Sequence, residues 1–451
     1  MLREHSSSGA SMGLPVEKRV VADSPLDGRV PSPQRHFPAA HMTMTILENG
    51  RLFDGIHDDL AEPCHVLVED DRIREVGREP ISIPDARRID CGGQTVMPGL
   101  IDAHVHACLP ASDFDAVAHM PPSLLSQYAG VALAGYLRRG FTTVRDACGA
   151  DHGLVLALER GLLSGPRLLI SGKAISQTGG HGDPRPIDQV DICPCAYCSP
   201  LTVIADGVDE VRRAVREELR KGARQIKIFA SGGVTSPADP IWMRQFTAEE
   251  IGAAVYEAST RRTYVMAHCH TSDSAQACIA AGVRSIEHGS DLDQQTAQMI
   301  AAAGSFVVPT LVVADTALRH GLAMGLKAAN LEKLEGITGK MYRSLEVCRR
   351  HGVKLGFGTD LPGNFGERQN EEFRLRAAVQ PPIEILRSVT AVNAELLGMP
   401  GEIGCVRPGA YADILVVNGD PTRDISVLAE PATGLSLIMS RGSLVKNILP
   451  T

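Results

Sequence analysis

The sequence predicts an α/β fold, namely a (β/α)8 TIM barrel with a small β-sandwich built from both chain ends. Apolar runs of strand length alternate with helical patterns through the middle of the chain, which is the rhythm of such a barrel. Short β-rich segments flank this middle region, and histidines recur where the predicted strands end. A doubly wound open sheet is the alternative fold, but its glycine-rich dinucleotide motif is missing.

The composition excludes several classes of protein. The chain has 451 residues, 22% of them charged, and a net charge of -8, so it lacks the basic surface of a nucleic-acid-binding protein. No apolar run is long enough to span a membrane. Eleven cysteines, scattered and odd in number, indicate reduced thiols in a cytoplasmic protein. We expect a small-molecule substrate, no nucleic-acid or membrane partner, and a homo-oligomer.

Three regions follow from the patterning. Residues 1–41 are rich in serine and proline and contain no apolar signal segment, so we interpret them as a disordered extension. Residues 42–97 and 399–451 form the predicted β-sandwich, and residues 98–398 form the predicted barrel. The sandwich strands, separated by turn residues, are predicted at residues 43–46, 51–53, 65–69, 72–76, 404–406, 412–417, 435–439 and 443–446.

The barrel prediction rests on apolar runs with helical patterns between most of them. The predicted strands are residues 100–103, 142–144, 168–170, 226–229, 264–266, 285–286, 306–308 and 355–357. Within residues 206–222, valine and leucine recur at helical spacing, with Asp206 as the predicted N-cap and Gly222 as the stop. Thr247 and Glu250 form a capping box that opens the next helix.

Residue types that ligate metals lie at the ends of several predicted strands. His104 and His106 end the first strand, and they share a face because side chains alternate along a strand. His268, His288 and Asp360 end the fifth, sixth and eighth strands. The carboxyl ends of barrel strands meet at one mouth, where barrel enzymes have their active sites. The sequence therefore predicts that these side chains converge on a metal site.

Lys227 lies inside the apolar fourth strand. An ammonium group has no lone pair and cannot ligate a metal. Burial beside cations would lower the lysine pKa and favour the neutral amine. A neutral amine can take up carbon dioxide as a carbamate, whose two oxygens could bridge two metal ions. A lysine in a strand more often pairs with a carboxylate, but the accompanying ligands favour the carbamate.

In several motifs the chain resembles the amidohydrolase superfamily, and within it the imidazolonepropionase-like and zinc-dependent prolidase-like amidohydrolases. The resemblance covers about residues 43–451, and its motifs are specific in combination. They are residues 98–106, 179–183, 226–228 followed by two glycines at 232–233, 267–268, 282–289, 358–360 and 408–414.

The resemblance implies a binuclear metal centre. By similarity, His104, His106 and Asp360 would hold one divalent ion, and His268 and His288 would hold the other. Zinc is the usual ion in these enzymes.

The resemblance also implies a mechanism and a function. Carboxylated Lys227 would bridge the two ions, a shared hydroxide would attack the substrate carbonyl, and Asp360 would carry a proton to the leaving nitrogen. The implied function is the hydrolysis of amide-like C–N bonds in prolyl dipeptides, N-acyl amino acids, aryl amides or carbamates. The alternatives are a mononuclear cyclic-amide hydrolase or deaminase, which typically lacks the lysine, and a non-catalytic scaffold, which would be expected to have lost ligands.

Further polar residues flank the predicted ligands. His181 corresponds to a histidine that contacts substrate in the family, with a solvated loop histidine as the alternative. His270 stands where many prolidase-like members have tyrosine, and a histidine can still donate to a substrate carboxylate or carbonyl. Glu287 points away from His288 along the strand, so we interpret it as a residue that supports the site or the fold and not as a catalytic one. Arg145 and Asp146 are predicted to form an ion pair at the mouth, with contact to a substrate carboxylate as the alternative.

Three cysteines, Cys193, Cys195 and Cys198, follow His181 on a loop. This loop is interpreted as a flexible lid, and a structural zinc site is the alternative. The sequence leaves open which amide, dipeptide or carbamate is the substrate, because specificity depends on the shapes of loops.

Overall fold

The computed structural model describes residues 44–185, 199–236 and 238–450. The predictions for residues 1–41 and for the loop of three cysteines therefore lie outside the described residues. The strands are β1 (Met44–Leu52), β2 (Ala61–Glu69), β3 (Arg72–Gly77), β4 (Arg87–Asp90), β5 (Thr95–Pro98), β6 (Leu100–Val105), β7 (Phe141–Asp146), β8 (Arg167–Leu169), β9 (Ala174–Ser176), β10 (Thr202–Ile204), β11 (Ile226–Phe229), β12 (Val265–Thr271), β13 (Ser285–Asp291), β14 (Phe306–Val308), β15 (Lys354–Leu355), β16 (Ile414–Val417), β17 (Leu435–Ser440) and β18 (Ser443–Asn447).

The α-helices lie mostly between the central strands. They are α1 (Phe114–Ala118), α2 (Pro122–Arg138), α3 (His152–Glu159), α4 (Val208–Arg220), α5 (Ala248–Thr260), α6 (Ser272–Ala281), α7 (Gln294–Ala302), α8 (Leu311–Met324), α9 (Ala328–Arg350), α10 (Glu371–Ala377), α11 (Pro382–Arg387), α12 (Asn393–Leu396) and α13 (Pro431–Gly434). None of the helices in these described ranges is long and apolar enough to cross a membrane.

Strands from the two chain ends lie in one sheet. Its order is β18-β17-β16-β5-β1-β2-β3, and β4 pairs with β1. Strands of the two ends meet in the antiparallel pairing of β16 with β5, in which Val416 lies opposite Val96. Hydrogen bonding thus assigns all eight strands to a single sheet, and the two-layered sandwich remains a prediction.

Two details of this sheet were predicted wrongly. Residues 44–52 form one strand and not two, because Gly50 lies within it and does not turn the chain. A Cβ atom at Gly50 would lie 2.6 Å from Val96 Cγ2, so glycine is needed there for close packing. Residues 404–406 are not a strand, because Gly404 has a φ of +66° and the chain leaves the extended region there.

The central strands form two parallel sheets. Strands β6, β7 and β8 form one, and the order of the other is β10-β9-β11-β12-β13-β14-β15. Backbone hydrogen bonds link the two sheets: Ala103 N in β6 donates to Phe357 O, just after β15, over 2.8 Å, and Arg224 N, just before β11, donates to Ile170 O, just after β8, over 2.8 Å. The architecture is therefore α/β with parallel central strands, whereas pairing does not continue around a closed barrel.

Helix starts were predicted with mixed success. The capping box at Thr247 is confirmed, since its side chain accepts from Glu250 N and the Glu250 side chain accepts from Thr247 N. Asp206 is not the cap of α4, which begins after Gly207. The Asp206 carboxylate instead accepts two hydrogen bonds from Thr178, at 2.9 and 2.6 Å, and is thereby drawn away from the helix.

Candidate active site

The candidate residues from distant parts of the chain line one cavity of about 100 Å³. The cavity lies at the carboxyl ends of β6, β11, β12 and β13, as parallel strands predict for a site of this kind. The cavity-lining candidates are His104, His106, His181, Lys227, His268, His270, His288 and Asp360.

His104, His106 and Asp360 form a compact group of potential metal ligands. One ligand atom from each residue lies within 4.8 Å of the others. Asp360 Oδ1 is 2.9 Å from His106 Nε2 and 3.4 Å from His104 Nε2. Among the groups of three or more histidine, cysteine, aspartate or glutamate side chains in the described part of the chain, this one has the geometry to enclose an ion.

His268 and His288 lie beside this group. The ring centroid of His288 is 4.8 Å from that of His104 and 4.7 Å from that of His268. His268 Nε2 is 3.3 Å from the carbonyl oxygen of Gly232, and a hydrogen bond there leaves Nδ1 as the nitrogen able to bind an ion. The two rings could therefore serve a second ion next to the first.

Two residues of this site have left-handed backbone conformations. His288 has a φ of +70° and Asp360 a φ of +58°, a region that residues other than glycine rarely adopt. Asp360 is held there by its backbone N, which donates to His104 O over 2.8 Å. Residues in such conformations persist only where the surrounding structure enforces them, and they cluster at functional sites.

Three of the potential ligands, all histidines, have an outer partner that orients the ring. His104 Nδ1 lies 2.7 Å from Glu287 Oε2, and His288 Nδ1 lies 2.8 Å from Thr310 Oγ1. His106 Nδ1 lies 3.3 Å from the Cys148 thiol. Thr310 and Cys148 follow strands β14 and β7, and nothing in the local sequence marks them as partners of these rings.

Arg145 does not form the predicted ion pair at the mouth with Asp146. Its guanidinium is fully buried and donates to both oxygens of Glu287, at 2.8 and 3.0 Å, and to Ala103 O at 2.6 Å. Burial alone would raise the pKa of Glu287, but Arg145 and His104 lower it to about 2. Asp146 instead accepts hydrogen bonds from the backbone N of Ala107, at 2.7 Å, and of another nearby residue.

Burial keeps most of the imidazoles neutral. It lowers the pKa of His104 to about 4, and it lowers the pKa values of His268 and His288 well below the usual range. His106 differs, because Cys148 and Asp360 outweigh the opposing effect of burial and raise its pKa. A neutral imidazole is the form that ligates a metal.

Lys227 is 1% exposed, and it makes no hydrogen bond or ion pair with any residue that the structure describes. Its Nζ lies 5.5 Å from the centroid of the Phe229 ring. Burial lowers the pKa of this amine. A buried ammonium without a partner is costly, so the surroundings favour the neutral amine.

His181 and His270 lie around His268. The His181 ring stacks on that of His268 with centroids 4.3 Å apart, and His270 lies edge-on at 4.6 Å. Gly233 permits the approach of His181, because a Cβ atom there would lie 2.1 Å from the imidazole ring. Hydroxyl groups orient both rings: Nδ1 of His181 and of His270 each lie 2.8 Å from a serine Oγ.

Comparisons with known proteins agree with this geometry. The sequence model of the Amidohydrolase family matches residues 95–445. Ochratoxinase from Aspergillus niger is 31% identical over 408 residues, which cover 86% of this chain and 84% of that protein. The crystal structure of a prolidase complexed with N-methylphosphonate-L-proline is 44% identical, with a TM-score of 0.87 over 90% of this chain and all of that one. A Xaa-Pro dipeptidase structure with bound methionine is 28% identical, with a TM-score of 0.80 over the same shares. The chain therefore belongs to the amidohydrolase family and is a hydrolase that acts on carbon–nitrogen bonds.

Proposed function

We propose that this protein is a binuclear metal-dependent hydrolase of amide-like bonds in small molecules. The observation that carries the proposal is one cavity in which mostly neutral imidazoles, Asp360 and the unpartnered Lys227 meet. The proposed substrates are prolyl dipeptides, N-acyl amino acids, aryl amides or carbamates. Relatives named prolidase, Xaa-Pro dipeptidase and ochratoxinase support amide substrates.

The donor set suits two divalent cations. In the proposal, His104, His106 and Asp360 hold one ion, and His268 and His288 hold the other. Nitrogen and oxygen donors in this combination suit zinc. Bound divalent cations supply Lewis-acid polarisation of the scissile carbonyl and activation of water.

Lys227 completes the donor set as a carbamate. Its neutral amine would add to carbon dioxide and release one proton, which leaves an anionic carbamate. The carbamate would carry one negative charge shared by its two oxygens, at a position where the lysine has no partner among the described residues. This step is favoured by burial, since burial lowers the lysine pKa.

The chain's own residues would position the substrate and move the proton. Asp360 faces the histidine cluster and takes the role of general base and then of general acid to the leaving nitrogen. Burial alone would raise its pKa, but the surrounding histidines, led by His104, lower it. His181 and His270 would donate to the carboxylate or carbonyl of the substrate.

The proposal also includes the barrel, the terminal β-domain and the cellular location of the protein. The two parallel sheets are linked by backbone hydrogen bonds near β6 and β15 and near β8 and β11, which supports a (β/α)8 barrel across residues 98–398. The terminal sheet supports a β-domain of residues 42–97 and 399–451. The cysteines of the described residues are all unpaired and buried, which supports a reducing, cytoplasmic environment.

An assay of the zinc-reconstituted protein against the four substrate classes tests the proposed function. We expect hydrolysis of at least one class, close to two metal ions per chain by elemental analysis, and loss of activity on chelation. Fully active protein with one ion per chain would contradict the binuclear proposal, and metal-loaded protein inactive on the whole panel would contradict the amide substrates.

Replacing His270 tests its role in substrate binding. We expect His270→Ala to raise KM or to change substrate preference, with metal content retained, because Ser290 and not a ligand orients its ring. His268→Ala is the matched variant and should lose metal. Kinetics and elemental analysis measure both effects, and metal loss in His270→Ala alone would reverse the assignment of the two residues.

Replacing Glu287 tests the support of His104. A carboxylate on the outer nitrogen of a ligating histidine sets its tautomer, and removing such a partner typically lowers metal affinity about 10–100-fold. We expect a loss of this size in Glu287→Gln, measured by competition with a chelating dye.

Glu384→Gln is the control, because Glu384 forms a similar arginine pair at the partly exposed position of Arg349. It should leave metal affinity unchanged. Because Glu287→Gln also deprives buried Arg145 of its counter-charge, circular dichroism must show that the variant is folded. Unchanged metal affinity in folded Glu287→Gln would refute the role.

A further inference from the structure

One side of the active-site cavity is apolar. Helices α8 and α9 supply this side, and those of their residues that line the cavity are all apolar. We call it the apolar wall and define it by Val313, Ala314, Ala317, Leu334, Ile337 and Met341. The charged and ligating side chains of the described lining belong instead to the candidate active-site residues.

We propose that the apolar wall binds the acyl group of the substrate and selects uncharged, branched aliphatic or aromatic acyl groups. The inference rests on the proposed function, because it takes the cavity to be an amidase site. It adds to that function the chemical class of one half of the substrate.

The space for such a group is created by small side chains. Ala314 and Ala317 lie three residues apart on α8 and therefore share a face of that helix. Both line the cavity and both are nearly buried, at 5% and 4% exposure. A longer side chain at either position would extend into the cavity. Met341, on the same wall, is flexible enough to adapt to ligands of different shape.

The cost of removing a charged group from water explains why the bound acyl group should be uncharged. A carboxylate or ammonium placed against the wall would lose its hydration without gaining a partner, which is costly. The polar part of the substrate has better partners, since His181 and His270 lie together around His268. If these histidines hold the carboxylate of the leaving amino acid, the acyl group is left to the apolar wall.

Three N-acyl prolines distinguish the effect of the size of the acyl group on kcat/KM from the effect of its charge. We expect kcat/KM for N-(4-methylpentanoyl)-L-proline to exceed that for N-acetyl-L-proline about tenfold or more, because the added apolar surface becomes buried. N-(4-carboxybutanoyl)-L-proline, of similar length but charged, should be hydrolysed more slowly than both. Equal rates for acetyl and 4-methylpentanoyl substrates, or a preference for the charged one, would overturn the inference while leaving the amidase function intact.

Filling the wall should remove the preference. We expect Ala317→Leu to lower the ratio of kcat/KM for the 4-methylpentanoyl over the acetyl substrate about tenfold, and Ala314→Val, a smaller change, to lower it less. Ala323→Leu is the matched control, because Ala323 is exposed on the same helix and does not line the cavity. It should keep the wild-type ratio. An unchanged ratio in folded Ala317→Leu and Ala314→Val would overturn the assignment.

Binding of the free acids gives a readout that does not depend on turnover. By calorimetry on the zinc-reconstituted protein, 4-methylpentanoate should bind at least about tenfold more tightly than acetate, and Ala317→Leu should abolish the difference. This result without hydrolysis of any amide would support the wall and refute the amidase function. Equal binding of the two acids would refute the wall.

Discussion

Lys227→Arg is expected to be inactive and to bind metal poorly. A guanidinium cannot form the carbamate, and it would place a permanent positive charge between two cations. Lys227→Ala should fail because it cannot form the carbamate either and therefore lacks the bridging oxygens. In both variants we expect activity to fall to background and metal content to fall well below two ions per chain, measured by assay and elemental analysis.

Added short carboxylic acids should partly restore Lys227→Ala. The substitution leaves a space in the cavity, and acetate or propionate could enter it and supply the two missing oxygens. Lys227→Met is the matched control, because it fills the same space without a nitrogen and leaves no room for the acid. We therefore expect recovery of activity and metal in millimolar acid for Lys227→Ala, and none for Lys227→Met or the wild-type protein.

A buried lysine held by an ion pair would behave differently. It would leave Lys227→Ala destabilised, with no response to acid. The same is expected of Lys333→Ala, since Lys333 Nζ lies 3.9 Å from Asp239 Oδ1 and donates to three backbone carbonyls. Carbon-13 NMR after labelling with ¹³C-bicarbonate gives a direct readout: a carbamate carbon should appear in the wild type and be absent from Lys227→Met. An active Lys227→Arg enzyme with two bound metals would end the carbamate proposal.

Asp360→Asn is expected to lower kcat about 10²–10⁴-fold, which is the usual contribution of a positioned general acid–base group. Asparagine has nearly the same shape as aspartate, but its amide cannot accept and return the proton. It also tolerates the left-handed backbone conformation that residue 360 adopts, with a φ of +58°. The loss should therefore reflect chemistry and not a distorted backbone.

Two controls make this result specific. Asp291→Asn removes a partly exposed carboxylate that pairs with Lys340, so kcat should stay within a few-fold of wild type. Elemental analysis of Asp360→Asn separates proton transfer from metal binding: retained metal with slow turnover supports the role of proton carrier. A variant that keeps its metal and turns over within a few-fold of wild type would contradict that role.

Much of the candidate site was predictable because the signals are local. Alternation along a strand puts His104 and His106 on one face, and the apolar run around Lys227 predicts its burial. Parallel strands bring their carboxyl ends to one edge, so residues at strand ends could be expected to meet. The capping box at Thr247 is equally local, since its two hydrogen bonds span three residues.

Pairings between distant residues required the tertiary structure. The bonds of Glu287 with His104 and Arg145 span more than 140 residues, and local periodicity contains no information about them. The expectation that Arg145 pairs with its neighbour Asp146 failed for this reason. Strands β9 and β10, of three residues each, were also missed.

The sequence by itself therefore determined the α/β class, the family and the set of potential ligands, because strand alternation and motif spacing are properties of neighbouring residues. The tertiary structure alone decided which partner orients each imidazole, that Gly50 continues a strand, and that Ala314 and Ala317 line the same cavity as the histidines. These features depend on which distant surfaces are pressed together when the apolar core is buried. No short stretch of sequence encodes that choice, since it is made by the packing of the whole chain.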